Sequence, residues 1–371
     1  MKGCEGSMRV ILRIAVRTFF VLLIFLGLVL AFLTITEYNP EAIETLSVEE
    51  GATVSVEDGM SLSFMSFNVG YAGLGKAEDF VLDGGQKTRP DSKDVVEDYL
   101  SGIRDIIDAH SVDFYLLQEV DVSSRRSFNI NQVEIIKNHI GESYSSVFAY
   151  NFKAVFVPFP LSLTDFIGPV ESGLQTVTRY DTESAERHQF PGAFDWPVRV
   201  VNLKRAMLIT RHEVEGSERE LVVVNLHMSA YDSDGSLRNA EMAYLKTFTE
   251  SEIEKDNYVI IGGDFNQTFP GAEDAFPTVF DPDDDAYYVA HPIGLDFLPE
   301  GYQFWYDARV PTCRSLNQPY DPTDEENTQY YVIDGFIVSN NIRVDRVETL
   351  EYGFLYSDHN PVILEVTLLN N

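Results

Sequence analysis

Asp264 and Asn266 stand two residues apart in YVIIGGDFNQ (residues 258–267), directly after a β-branched apolar run. In an extended chain, residues i and i+2 point to one side, so a carboxylate and an amide are offered to one site at the mouth of a buried strand. Five further polar signals lie at the ends or edges of apolar runs: Asn68, Glu119, His227, Asp334 and the pair Asp358–His359. Each alone has an ordinary explanation as a cap, a turn or a satisfied core histidine. Together they form a candidate site, because a sheet gathers strand ends along one edge.

The set is hard and rich in oxygen: Glu119, Asp264 and Asp358 supply carboxylates, and Asn68 and Asn266 supply amide oxygens. It selects Mg²⁺, or Mn²⁺ or Ca²⁺, over zinc, whose sites want cysteine or clustered histidines. Such an ion binds a phosphate oxygen and stabilises charge on a phosphoryl group. Asp264 is then the group that orients and deprotonates a water. His227, His359 and the Asn266 amide donate hydrogen bonds to non-bridging oxygens, and Asp334 fixes the tautomer of His359.

Elements must position these groups. SLSFMSFNV (61–69), VDFYLLQEVD (112–121), LVVVNLH (221–227), YYVIDGFIVS (330–339) and NPVILEVTLL (360–369) read as strands, besides the 258–267 stretch. Apolar spacing predicts helices over 91–110, near 125–140 and over 235–255. The Gly-rich stretch 70–90 lacks the Gly-Lys-Ser/Thr ending of a phosphate-binding loop and is expected to rim the site. Residues 144–213 are less regular. Helices alternating with strands imply an α/β fold with two mixed sheets and helices outside.

TFFVLLIFLGLVLAFLTI (18–35) is uncharged and as a helix spans about 27 Å, close to the apolar thickness of a bilayer. Lys2, Arg9, Arg13 and Arg17 precede it, and Glu37, Glu41 and Glu44 follow. The positive-inside rule puts a short N-terminus (1–17) in the cytoplasm, an anchor at 18–36, a linker or edge strand at 37–60 and a domain at 61–371 outside. A single-pass protein of the cell membrane is therefore expected. A cleaved signal peptide is the alternative, but its apolar region is ordinarily shorter and no small-x-small site follows here.

With 59 acidic against 27 basic residues the formal charge is −32. That disfavours duplex nucleic acid as the main partner, since phosphate binding needs a basic footprint. Arg179, Arg187, His188, Arg199, Lys204 and Arg205 give the middle region much of its positive charge, as a phosphate collar or as surface pairs with acids. VFVPFP (155–160) offers apolar surface that would meet lipid or pack, and packing is expected.

SFNVG, LLQEVD, VVNLHMS, IIGGDFNQ, VIDGFIVS and YSDHNPV, in this order within residues 61–369, resemble the motifs of the endonuclease/exonuclease/phosphatase superfamily. Its members include exonuclease-III-like nucleases, DNase I, inositol polyphosphate 5-phosphatases and neutral sphingomyelinases. The resemblance implies a four-layered α/β sandwich, here preceded by a transmembrane helix, and metal-dependent phosphoester hydrolysis. It implies that Asn68 and Glu119 are the metal-site pair, with Asp358 beside metal and water. It implies that Asp264 activates the water, that Asn266 and His227 contact the phosphate, and that Asp334 and His359 act as a pair. The expected function is that of a membrane-anchored phosphoesterase acting outside on a phospholipid headgroup or a small phosphorylated substrate. Its partners are then the bilayer and that substrate, and no protein partner is expected. An extracellular DNase I-like nuclease is the alternative within the class, and a non-catalytic binding protein on the same scaffold is the alternative outside it.

Overall fold

The computed structural model describes residues 2–51, 54–162, 164–232, 235–280, 288–294, 296–324 and 326–369. The first element is a helix, Lys2–Ile35, longer than the eighteen-residue run marked by apolarity alone. Its Val10–Ile35 portion is apolar and almost wholly exposed, so by length and composition it is a candidate membrane span.

Two sheets follow. The six-stranded one has the spatial order Ile342–Thr349, Val362–Leu368, Ser61–Asn68, Phe114–Asp121, Gly168–Thr178, Ser145–Val157. The larger one runs Ile43–Thr45, Ser184–Gln189, Ala206–Glu215, Glu220–His227, Tyr258–Asp264, Asp334–Ser339, Tyr302–Trp305. Both are mixed: Ser61–Asn68 lies parallel to Phe114–Asp121, and Glu220–His227 parallel to Tyr258–Asp264.

Alternate residues of each central strand face opposite ways. Phe64, Leu116, Val223, Ile260, Phe336 and Leu364 meet between the sheets. Met65, Tyr115 and Leu117 turn outward under helices Lys93–Ala109 and Gln132–Ile140, while Val222, Val224 and Ile261 turn outward under helix Ser236–Ile253. The result is helix, sheet, sheet, helix. The Lys93–Ala109 helix is capped by Ser92, whose hydroxyl accepts from the Val95 N–H at 3.4 Å. Its Val96, Leu100, Ile103 and Ile107 are buried at helical spacing, each stabilising by about 1.5–3 kcal/mol.

Two expectations change. The helix near 125–140 is confined to Gln132–Ile140, because Phe128 and Asn129 take left-handed backbone angles (φ 55° and 57°) ahead of the Asn131 cap. Residues 144–213, less regular in sequence, contain the strands Ser145–Val157, Gly168–Thr178 and Ser184–Gln189 and most of Ala206–Glu215. Their alternation is masked by buried polar residues with internal partners: Gln175 Nε2 donates to Val133 O and Ser146 Oγ, and Arg187 Nε to Tyr150 O. The 37–60 segment takes the edge-strand form of its two readings. Ile43–Thr45 pairs with Glu186–His188, and Val56–Glu57 with Val214–Glu215.

Candidate active site

Three neighbouring strands end together. Asp264, at the end of its strand, is directly across from His227 on one side and Asp334 on the other. The parallel neighbour comes this close because Gly263 carries no side chain: its φ is 150°, and a Cβ there would lie 2.0 Å from Leu226 O. In the other sheet Asn68 pairs with Gln118, so Glu119 follows at the same level. The register slips between Leu117 and Val120, and Glu119 sits in that bulge at φ 55°. A bulge re-aims a side chain, here into the cleft. The Ser357-Asp358-His359 turn closes the group, with Ser357 Oγ donating to Asn68 O at 2.8 Å.

The two sheets are also linked under the site by buried amides. Gln118 Nε2 donates to Asn225 Oδ1 at 2.8 Å, and Asn225 Nδ2 donates to Leu117 O and Gln175 O.

All eight residues singled out by sequence come together. Asp264 Oδ2 accepts from Asn68 Nδ2 at 3.0 Å and lies 3.3 Å from His227 Nε2 and 3.7 Å from His359 Nε2. His359 Nδ1 is 2.8 Å from Asp334 Oδ2, and its Nε2 is 3.9 Å from Asp358 Oδ2. Asn68 Nδ2 is 3.5 Å from Glu119 Oε1. Asp334 stands behind His359, while the other seven line one cleft of about 770 Å³.

Two local geometries differ from the sequence reading. Asn266 is not the extended i+2 partner of Asp264. It takes φ 49°, its N–H donates to Asp264 Oδ1 at 2.9 Å, and its Nδ2 donates to Met228 O. The pair shares the site through an Asx turn. Asn68, expected as an oxygen ligand, turns Nδ2 toward the acids because the Gly70 N–H occupies its Oδ1 at 3.0 Å.

Charge is held unevenly. Burial, then the Asp334 charge, pushes the Asp264 carboxyl up to about 7. Burial pushes Asp358 up to about 6. Burial also disfavours charge on His359, but Asp334, Cys313 and Asp358 outweigh it and leave the imidazole well above its ordinary value. His227 is driven well below its ordinary value by burial and then by the Arg205 charge. The site thus favours charge on one imidazole and disfavours it on the other.

The donor set fits a hard divalent ion. Carboxylates of Glu119, Asp264 and Asp358 face one cleft, and Asp334 Oδ1, buried behind it, has no hydrogen-bond partner. Among the described residues, Asp264, Asp334 and His359 have ligand atoms within 4.8 Å of one another, as do Cys313, Asp358 and His359. The nearest cation to Glu119 is Arg126 Nη1, 3.7 Å from Oε2, and Arg126 is shared with Asp121 at 3.0 Å.

Sequence reasoning missed Arg126 and Tyr71. The Arg126 guanidinium lies 3.7 Å from the Tyr71 ring centre, and the buried Tyr71 hydroxyl, at the cleft, has no hydrogen-bond partner. Tyr71 holds φ 42°, so only its place in the 70–90 rim was legible. Of the basic collar, only Arg205 lines this cleft, with a buried, unpartnered Nη1. Arg179 pairs with Asp113, His188 with Glu186, Arg199 and Lys204 with Glu37, and Arg187 with Glu44.

The family model described as "Endonuclease/Exonuclease/phosphatase family" matches residues 65–359. No curated protein matches the sequence significantly. The fold is similar to that of an endonuclease/exonuclease/phosphatase from Beutenbergia cavernae, at 15% identity and a TM-score of 0.50 over 84% of this chain and 72% of that one. It is likewise similar to proteins of that description from Bacteroides vulgatus (15% identity, TM-score 0.50, 83% and 99% covered) and Bacteroides thetaiotaomicron (15%, 0.50, 84% and 99%). The cleft, the ordered motifs and the match over most of the chain converge: the chain belongs to the endonuclease/exonuclease/phosphatase family, whose members are in general hydrolases of phosphoester bonds and typically use divalent metals.

Proposed function

We propose that the protein is a membrane-anchored, divalent-metal-dependent phosphoesterase. Its domain from about residue 37 onward faces outside, and it hydrolyses a phospholipid headgroup or a small phosphorylated substrate. The observation that carries the reading is the meeting of Asp264, His227, Asn68, Glu119, Asp358 and the Asp334–His359 pair around one cleft. The Val10–Ile35 helix and the basic residues ahead of it support the anchor and its direction.

Glu119 and Asp358 would hold the metal, with Asn68 tying Glu119 to Asp264 through its amide N–H groups. When bound, the ion neutralises charge on the phosphoryl oxygens. Asp264 orients a water and takes its proton at Oδ2, and a carboxyl held near neutral pH suits that exchange. His359, kept cationic by Asp334 at Nδ1, donates from Nε2 to a non-bridging oxygen. His227 and Asn266 position the phosphate on its other side, and Arg205 Nη1 and the Tyr71 hydroxyl remain free to bond it.

The test is the full chain assayed with supercoiled plasmid, phospholipid and sphingomyelin vesicles, and a phosphomonoester, each with Mg²⁺ and with EDTA. Turnover of a lipid or small substrate that EDTA abolishes is expected. Plasmid nicking alone would replace the substrate class with a nuclease's, and metal binding without any turnover would make the protein a binding scaffold.

A further inference from the structure

The cleft has an apolar lining besides its polar one. With the acids and imidazoles it is lined by Val157, Phe159, Leu161, Val198, Val201 and Leu203. Val201 and Leu203 pack on the buried cluster of Phe152, Val157 and Ile167, so the two rim segments, 155–161 and 196–203, form one surface. VFVPFP was expected to pack, yet Val155 is 52% and Phe159 43% exposed. They are joined by Leu161 at 95%, Trp196 at 52% and Val198 at 51%. An apolar patch of this kind beside a polar site marks an interaction surface rather than a core.

The same rim is tied to the end of the apolar helix. Trp196 Nε1 donates to Thr34 Oγ1 at 3.1 Å. Lys204 Nζ donates to Glu37 Oε1 at 2.8 Å, and Arg199 Nε lies 3.7 Å from Glu37 Oε2. The chain would leave the hydrocarbon at Ile35, so residues 196–204 sit at the level of the headgroups, where Trp and paired basic groups are at home. An apolar rim held at that level faces lipid.

We infer that the Phe159–Leu161 and Trp196–Val198 rim inserts into the leaflet that its own helix enters. The cleft thereby draws a phospholipid from that leaflet, with acyl chains along the apolar lining and the phosphodiester at the acids. The inference rests on the anchored phosphoesterase reading and narrows it to a bilayer lipid taken in cis. A net charge of −32 favours zwitterionic over anionic lipid.

The full chain is reconstituted in vesicles of phosphatidylcholine, phosphatidylethanolamine, phosphatidylglycerol and sphingomyelin. Lipid consumption is followed by phosphorus NMR, and soluble bis(4-nitrophenyl) phosphate is assayed beside it. Wild type consumes vesicle lipid, and in Leu161→Asp the ratio of lipid to soluble turnover falls about tenfold or more. Equal loss on both substrates, or none, overturns the inference. Soluble turnover without lipid turnover in wild type overturns it too, while leaving the phosphoesterase reading intact; no turnover of either ends both. A second measurement does not depend on turnover. In Trp305→Phe, which leaves Trp196 as the only tryptophan, brominated phosphatidylcholine is expected to quench the fluorescence, and an unquenched signal refutes insertion.

Discussion

The parallel strands Glu220–His227 and Tyr258–Asp264 have a buried acid near each end, and the two ends treat it in opposite ways. At the starting end, Glu252 from the last turn of its helix is held by Arg211 Nη2 at 2.7 Å, Lys255 Nζ at 3.0 Å and Asn257 Nδ2 at 2.8 Å. Burial alone would raise this carboxyl, but hydrogen bonds from Arg211, Asn257 and Lys255 outweigh it and pull it down to about 2. At the finishing end, Asp264 has an amide and a backbone N–H as hydrogen-bond donors and another acid for a neighbour, and it rises to about 7. Compensated charge holds the sheet together, whereas charge left open is available to a substrate and a metal.

The largest effect is expected at the open end. Asp264→Asn should lower turnover by about 10²–10⁴-fold, the range of a lost general base. It should leave the melting temperature equal or higher, because it removes a buried acid crowded by Asp334. Adding His359→Ala should cost much less than the two single losses combined, since both groups serve one transition state. Rates and melting curves of the three variants check this, and a wild-type rate in Asp264→Asn would move the chemistry elsewhere.

The closed end should respond the other way. Glu252→Gln should lose about 3 kcal/mol of stability at neutral pH, the value of a carboxyl held some two to three pH units below its ordinary range. The turnover of molecules that remain folded should be kept. The folded value lies below the unfolded value of about 4.5, so the contribution is full above that pH and drains away toward pH 2. Urea unfolding of wild type and Glu252→Gln between pH 6 and 3.5 should therefore show the gap narrowing at low pH, by about 1.4 kcal/mol per unit once below 4.5. A constant gap would show that the pair is not what the carboxylate contributes.

The open end was legible in sequence and the closed end was not. Asp264 and His227 finish apolar runs and so announce themselves as groups aimed out of a core. Glu252 and Arg211 lie among helix and strand residues whose charges read as solvated surface, and only the packing of Ser236–Ile253 on the sheet brings them together. The same limit hid Arg126 beneath Tyr71, whose left-handed backbone leaves no pattern in residue types. Asn68, expected to offer its oxygen, faces the acids with Nδ2, because the Gly70 N–H that takes its Oδ1 is a matter of loop geometry. The strands of 144–213 stayed hidden because hydrogen bonds, not apolarity, reconcile Gln175 and Arg187 with burial.

The smallest effect sharpens the contrast within the closed end. Asn257 Nδ2 also reaches Glu220 Oε2 at 3.2 Å, and its Oδ1 accepts from the Glu220 N–H at 2.9 Å. Asn257→Ala removes a neutral donor from Glu252 but leaves the Arg211 fork and Lys255 in place. The expected cost is about 1 kcal/mol, that of an ordinary hydrogen bond. With one stabiliser of the charged form gone, the Glu252 value moves up toward 4.5, so less of its contribution remains to be lost in acid. The acid part of the stability curve should then flatten relative to wild type, with turnover untouched. If Asn257→Ala instead cost as much as Glu252→Gln, the network would act as one unit rather than as an ion pair with a helper. The closed end would then owe its strength to connectivity rather than to the opposite charges of Arg211 and Glu252.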